Sequence, residues 1–101
     1  MITLTVTATV WLWNAEKGSL HFLTVPPEQA AEIRFDSIGL RGGFGSVKVE
    51  AAIGDVAWTT SLFPDSRTGG YVLPLKADVR RRADIAAGDD VTVILKLIER
   101  T

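Results

Sequence analysis

Apolar and polar side chains alternate along the start of the chain. The stretch ITLTVTATVWLW sets aliphatic residues against threonines and tryptophans, and successive side chains of a β-strand point to opposite faces. The pattern therefore predicts one long, half-buried strand over residues 2–13. Its aliphatic face is Ile2, Leu4, Val6, Ala8, Val10 and Leu12, and Trp11 and Trp13 share the other face with the threonines.

Five further segments have strand composition or alternation: residues 20–25, 47–53, 56–63, 71–75 and 90–99. Turn-forming residues separate the first two strands, so these two are predicted to form a hairpin. Gly54-Asp55 predicts a second, tight hairpin, because glycine adopts the positive φ that a two-residue turn requires. The chain is therefore expected to contain six strands.

Two segments have the pattern of short helices. The first is PPEQAAEIRF, residues 26–35, in which a proline in the first turn and an early glutamate favour a helix start. The second is LKADVRRRAD, residues 75–84, in which Leu75, Val79 and Ala83 form an apolar stripe. Pairing of Asp78 with Arg82 and of Arg80 with Asp84 is predicted from their i, i+4 spacing. This basic stretch is therefore interpreted as largely a solvated helix face.

The two halves of the chain resemble each other. FLTVPPEQAAEI and YVLPLKADVRRR both read as an aromatic residue, a short β segment, a proline and a short helix, and an alternating strand follows each. Two such units can close one core by interleaving about a pseudo-twofold axis. We therefore predict a mainly β protein over residues 1–101 as a single domain: a closed or nearly closed six-stranded barrel with two short helices.

Composition narrows the classes of function. The chain has 101 residues, no cysteine, and a formal net charge of -1. Disulfides and thiolate chemistry are therefore excluded, and no overall positive field would attract nucleic acid or an anionic membrane. The N-terminus resembles neither a signal peptide nor a membrane-spanning helix. We expect a cytoplasmic protein without membrane or nucleic-acid binding.

Several motifs resemble known families. VLPLKADVRRRADIAAGDDVTVIL resembles the strand, helix and strand unit of AbrB-type swapped-hairpin domains. In their order and spacing, GLRGGFGSVKVEAAIG, WTTSLFP and YVLPLKADVRRRADIAAGDDVTV resemble the small bacterial family called domain of unknown function 1905. This resemblance covers almost the whole chain. It implies a single-chain β-barrel of the double-split type and no known activity.

No residue set points to a reaction. His21 is the only histidine, so neither a metal site nor a serine–histidine triad is supplied by spacing, and no cofactor is expected. The glycine-rich segment GLRGGFG matches neither the P-loop nor the dinucleotide-binding fingerprint. It is interpreted as the connection that precedes the third strand.

One stretch suggests a ligand site. WTTS places hydroxyl groups beside an aromatic ring, and Lys76 and Arg80 of the predicted second helix are expected nearby. These types suit a small polar or anionic ligand. The alternative is that the hydroxyl residues are ordinary strand residues. The candidate ligand-binding residues are Trp58, Thr59, Thr60, Ser61, Lys76 and Arg80.

The sequence favours a non-catalytic binding or scaffold module for a small molecule or a protein partner. An AbrB-like DNA-binding regulator and a small-molecule enzyme are the alternatives. If Trp11 and Trp13 are exposed, they would mark a contact surface.

Overall fold

The computed structural model describes residues 2–15, 18–36 and 45–98, without the side chains of residues 15 and 36. Within these ranges the protein has seven strands and two helices. In chain order they are β1 (Thr3–Thr9), β2 (Trp11–Ala15), β3 (Gly18–Val25), α1 (Pro27–Asp36), β4 (Val47–Ile53), β5 (Val56–Asp65), β6 (Gly70–Pro74), α2 (Ala77–Ala83) and β7 (Asp90–Leu97).

The strands form one antiparallel, curled sheet in the order β1-β7-β4-β5-β6-β3-β2. The prediction of a mainly β fold with two short helices is confirmed. The prediction of a closed six-stranded barrel is wrong, because the sheet is open and has a seventh strand among the described residues.

The additional strand arises at Val10, where the predicted opening strand divides. The Val10 N–H donates to the carbonyl oxygen of Asp89, and its own carbonyl accepts from the Gly88 N–H. These bonds tie Val10 to the loop before β7, so β1 pairs with β7 and β2 pairs with β3 at the opposite edge. No glycine or proline marks this break, because tertiary hydrogen bonds produce it.

The two strand–helix–strand units interleave as the internal repeat predicts. β3 pairs with β6, and β4 pairs with β7, so each unit lends strands to both halves of the sheet. Pro26 lies between β3 and α1, and Pro74 ends β6 shortly before α2. Both prolines therefore lie where a strand gives way to a helix, where a missing backbone donor costs least. The relation to AbrB-type domains stays a prediction.

The core lies inside the curl of the sheet. In β7 the predicted face is confirmed, since alternate residues are buried from Val91 to Leu97. The hairpin at Gly54 is also confirmed, with φ of 56° at that residue and antiparallel pairing of β4 with β5. The buried residues that form the main cluster include Val6, Leu23, Val25, Ile33, Val49, Leu62, Tyr71, Leu73, Val93 and Leu95.

Helix α2 partly follows its prediction. Leu75 and Val79 are buried, and an Arg82–Asp78 ion pair forms at 3.5 Å. The predicted pairing of Arg80 with Asp84 is wrong, because the Arg80 side chain turns back toward β3 instead of along the helix. The basic stretch is largely exposed, as predicted, and Arg80 is the exception because it is half-buried.

Two further predictions concern the glycine-rich connection and the membrane. The glycine-rich connection falls mostly on residues 37–44, which lie outside them. None of the described helices is long and apolar enough to cross a membrane.

Candidate functional site

One region of the outward face of β2, β3, β6 and β5 is apolar, although it faces solvent. Trp11 is paired with Phe22, and Phe22 with Pro74 on the next strand, so all three lie on this face. Their strand neighbours Leu23 and Leu73 point inward and are fully buried. We call the outward surface formed by Trp11, Trp13, Leu20, Phe22, Phe63, Val72 and Pro74 the outer apolar face. Trp13 is 50% exposed, Leu20 48% and Phe63 42%.

A cleft of about 490 Å³ opens where the outer apolar face meets the start of α2. We call it the first cleft. Its apolar wall includes Leu20, Phe22, Phe63, Val72 and Pro74. Its basic groups are His21, Lys76 and Arg80, and no acidic residue lines it among the described part of the chain. An apolar enclosure with a few convergent polar groups is the usual form of a small-molecule site.

Arg80 is held in the first cleft by contacts with the backbone and with β3. Its Nε donates to the Leu75 carbonyl oxygen at 3.2 Å, and Nη1 donates to His21 Nε2 at 3.4 Å. Its Nη2 makes no hydrogen bond to the described residues, which leaves donors of the guanidinium available. Arg80 therefore offers a preorganised positive group at the end of an apolar wall.

His21 is neutral in this arrangement. An arginine only donates hydrogen bonds, so Nε2 of His21 is the acceptor and the ring proton lies on Nδ1. Nδ1 is buried and has no hydrogen-bond partner among the described residues. Burial, and then the charge of Arg80, lower the pKa of His21 below its usual 6.5. Lys76 and Arg80 therefore carry the positive charge of the first cleft.

A second cleft, of about 280 Å³, lies beside the first and shares Phe22 and Val72 with it. The rings of Trp11 and Phe22 are 5.0 Å apart at 37°. The guanidinium of Arg67 lies 5.6 Å from the centre of the Trp11 ring, as in a cation–π contact. Trp13 and Pro64 complete the aromatic and apolar wall.

The polar groups at the second cleft are largely engaged with one another. Trp11 Nε1 donates to Thr24 Oγ1 at 2.8 Å. Asp65 Oδ1 accepts from the backbone N–H and the Nε of Arg67 at 3.0 and 3.2 Å. Burial would raise the pKa of Asp65, but the hydrogen bonds from Arg67 and Thr68 outweigh it and lower that pKa below its usual value. The second cleft therefore presents mainly ring faces.

The structure divides the predicted ligand-binding residues. Lys76 and Arg80 line the first cleft, whereas Phe63 is its only lining residue from β5 in the described chain. Along β5, Trp58 and Thr60 pair with the buried Ala51 and Val49 and lie on the inner face. Strand alternation therefore sends the intervening hydroxyl residues Thr59 and Ser61 to the outer face. Ligand binding at Trp58, Thr59, Thr60 and Ser61 stays a prediction.

Trp58 packs against the core, and its Nε1 is buried without a hydrogen-bond partner among the described residues.

The apolar lining of the first cleft was not foreseen from the sequence. Its signal is the sequence LHF in β3, where Leu20 and Phe22 share a face with Trp11 and Trp13 across the hairpin. A strand with apolar residues on its outward face predicts an exposed apolar patch.

The described residues include no group of three or more histidine, aspartate or glutamate side chains that could hold a metal ion. The geometry instead presents an apolar surface with a basic end.

Comparison with known proteins places the chain in a family. No curated protein matches it. A family model covers residues 7–95, which include every strand that forms the two clefts, and the chain therefore belongs to the family described as Domain of unknown function (DUF1905).

Proposed function

We propose that the protein binds a small amphipathic organic acid in the first cleft. The apolar body lies against Leu20, Phe22 and Phe63, and the acid group meets Lys76 and Arg80. The observation that carries the proposal is that these two cations line an open, largely apolar cleft of about 490 Å³. This lining suits a ligand that is more apolar than the polar or anionic molecule expected from the sequence.

Two properties of the cleft support an anion in preference to a cation or a neutral molecule. The first is the absence of acidic lining residues among those described. The second is the fixed guanidinium of Arg80, since bonds to Leu75 and His21 reduce the side-chain entropy that an anion would otherwise have to remove. Hydrogen bonds between a guanidinium and a carboxylate are also about twice as strong as neutral ones.

Titration with hexanoate and with hexanol tests the proposal, because these probes share an apolar chain and differ in charge. Small ligands of this size bind at millimolar concentration, so we would follow backbone amide shifts by NMR. We expect hexanoate to shift residues of the first cleft and to bind about fivefold or more tightly than hexanol.

Charge variants identify the site. Arg80→Gln and Lys76→Gln are expected to weaken hexanoate binding severalfold and to leave hexanol binding nearly unchanged. Arg81→Gln is the control on the same helix, because Arg81 is exposed and paired with Asp78. Lys96→Gln is the corresponding lysine control on β7. Equal binding of the two probes, or equal losses in all four variants, would contradict the proposal.

A further inference from the structure

The two clefts lie side by side on the outer apolar face, and this adjacency suggests what kind of acid is bound. They share Phe22 and Val72, so these two side chains form the boundary that a ligand in both clefts would cross. Trp11, Phe22 and Pro74 are direct neighbours on β2, β3 and β6. Adjacent strands lie about 4.8 Å apart, so the backbone at Trp11 is roughly 10 Å from the backbone at Pro74 in the first cleft. An extended chain advances about 1.2 Å per bond, so about six carbons span this distance only together with a ring at one end and an acid group at the other.

The second cleft is suited to a flat aromatic group. Trp13 is half exposed on its wall, and the tilted Trp11–Phe22 pair provides further ring surface beside it. The indole N–H of Trp11 and the carboxylate of Asp65 already have partners within the protein. A hydroxylated or basic group would therefore gain little there, whereas an aromatic ring could stack.

The charges at the two clefts favour one orientation of a bound acid. The acid group belongs at the Lys76 and Arg80 end, and the negative charge of Asp65 at the other end is balanced by Arg67 at 3.2 Å. Arg67 also lies over the Trp11 ring, so the second cleft does not repel an electron-rich ring.

From these observations we infer that the second cleft is an aromatic subsite, and that the ligand class is an aryl-substituted organic acid whose ring and acid group are separated by an apolar linker. The inference rests on the proposed function of the first cleft. The ring stacks beside Trp13 and Phe22, the linker crosses Phe22 and Val72, and the acid group reaches Arg80.

The probes for this inference are 6-phenylhexanoate and 6-cyclohexylhexanoate, which differ mainly in aromaticity. We expect the wild-type protein to bind the phenyl acid about two- to tenfold more tightly, which is the range that aromatic pairing adds beyond buried area. The indole N–H signals of Trp11 and Trp13 should shift with the phenyl acid, and that of Trp58 should stay in place.

Trp13→Leu is the test variant, because Trp13 is exposed and its replacement leaves the core intact. We expect the preference for the phenyl acid to fall to about one, with binding of hexanoate unchanged. Leu12→Ala is the control, since Leu12 is similarly exposed at 43% on the same strand but lines neither cleft.

The outcomes separate this inference from the proposed function. If hexanoate binds in an Arg80-dependent manner but the two ring acids bind equally, or if Trp13→Leu keeps the preference, the aromatic subsite is refuted and the first cleft stands. If none of the acids binds, both proposals fail. If a ring acid instead promotes self-association of the protein, the outer apolar face is a contact between copies and the subsite is refuted.

Discussion

The half-buried side chain of His21 on β3 contacts the guanidinium of Arg80, and this position decides its chemistry. The contact joins residues 59 positions apart, at 3.4 Å between Nη1 and Nε2. A lone histidine in a sequence carries no sign of such a neighbour. Only the packing of α2 beside β3 brings the positive charge close enough to disfavour a second one.

The lowered pKa of His21 predicts a pH dependence of stability. Burial, followed by the Arg80 charge, places the folded-state pKa below 6.5. As the pH falls through about 6.5, the unfolded chain takes up the proton more readily than the folded one, so the free energy of unfolding decreases. His21 therefore does not lower the free energy of unfolding above its unfolded-state pKa, and lowers it increasingly as the pH falls below that pKa.

Urea unfolding at about pH 8 and about pH 5.5 measures this effect. The wild-type protein should lose more stability between the two pH values than His21→Gln, in which the side chain does not titrate. Contributions of carboxylates are common to both proteins and cancel in the comparison. An identical pH dependence in the two proteins would show that His21 keeps its ordinary pKa in the fold.

At the scale of an element, α2 is held to the sheet by its apolar side and not by its exposed ion pairs. Val79 is 4% exposed, whereas the Asp78 carboxylate and its partners Arg81 and Arg82 are all at least half exposed. Exposed pairs contribute little because solvent screens them and because long side chains lose entropy when they pair. Burial of the Val79 side chain is favourable, because it removes apolar surface from water.

Two substitutions in α2 should therefore differ clearly. Val79→Ala is expected to lower the free energy of unfolding by about 1.5–3 kcal/mol, from lost burial and the cavity left behind. Asp78→Asn should cost less than about 1 kcal/mol, even with its favourable place in the first turn included. Urea denaturation of both variants, with Arg81→Gln as a surface reference, provides the comparison. A larger loss for Asp78→Asn would mean that the charges position the helix.

Most of the strands and both helices were predictable from the sequence. The alternation in residues 90–97 reports a strand with one buried face, because burial itself has period two there. Helix α1, predicted over residues 26–35, is Pro27–Asp36. The sequence predicts Ala30, Ala31 and Ile33 as its apolar side; Ala30 and Ile33 are buried, whereas Ala31 is exposed. The break at Val10 has no local signal, since its bonds are to Gly88 and Asp89.

At the scale of the whole molecule, the distribution of charge argues against DNA binding. The formal net charge is -1, and two of the α2 arginines, Arg81 and Arg82, are paired with Asp78. Arg80 turns toward Leu75 and His21. Duplex binding at physiological salt needs several phosphate contacts, each of which releases counterions.

We therefore predict no binding of a labelled DNA duplex at micromolar protein concentration and physiological salt. Fluorescence anisotropy would measure it, with a repeat at low salt to detect weak electrostatic association. Binding at micromolar concentration or tighter, with a steep decrease as salt is added, would support the regulator alternative and contradict this prediction.

The candidate site was predictable only in part. Lys76 and Arg80 were identified as cationic partners of a ligand, and both line the first cleft. The WTTS stretch was expected beside them, but strand alternation divides its residues between two faces. Sequence neighbours in a strand do not share a surface, and this consideration alone would have separated Trp58 and Thr60 from Thr59 and Ser61.

The sequence by itself determined the element types, most strand faces and the interleaving of two related units, because hydrophobic periodicity and turn residues act over a few positions. Only the tertiary structure decided that the sheet stays open, that Arg80 turns to His21 and that the two clefts lie side by side. These features depend on contacts between β2, β3, β6 and α2, which the chain brings together from distant positions. Local patterns carry no information about such contacts, since the same residues could satisfy their own periodicity in many arrangements of the strands.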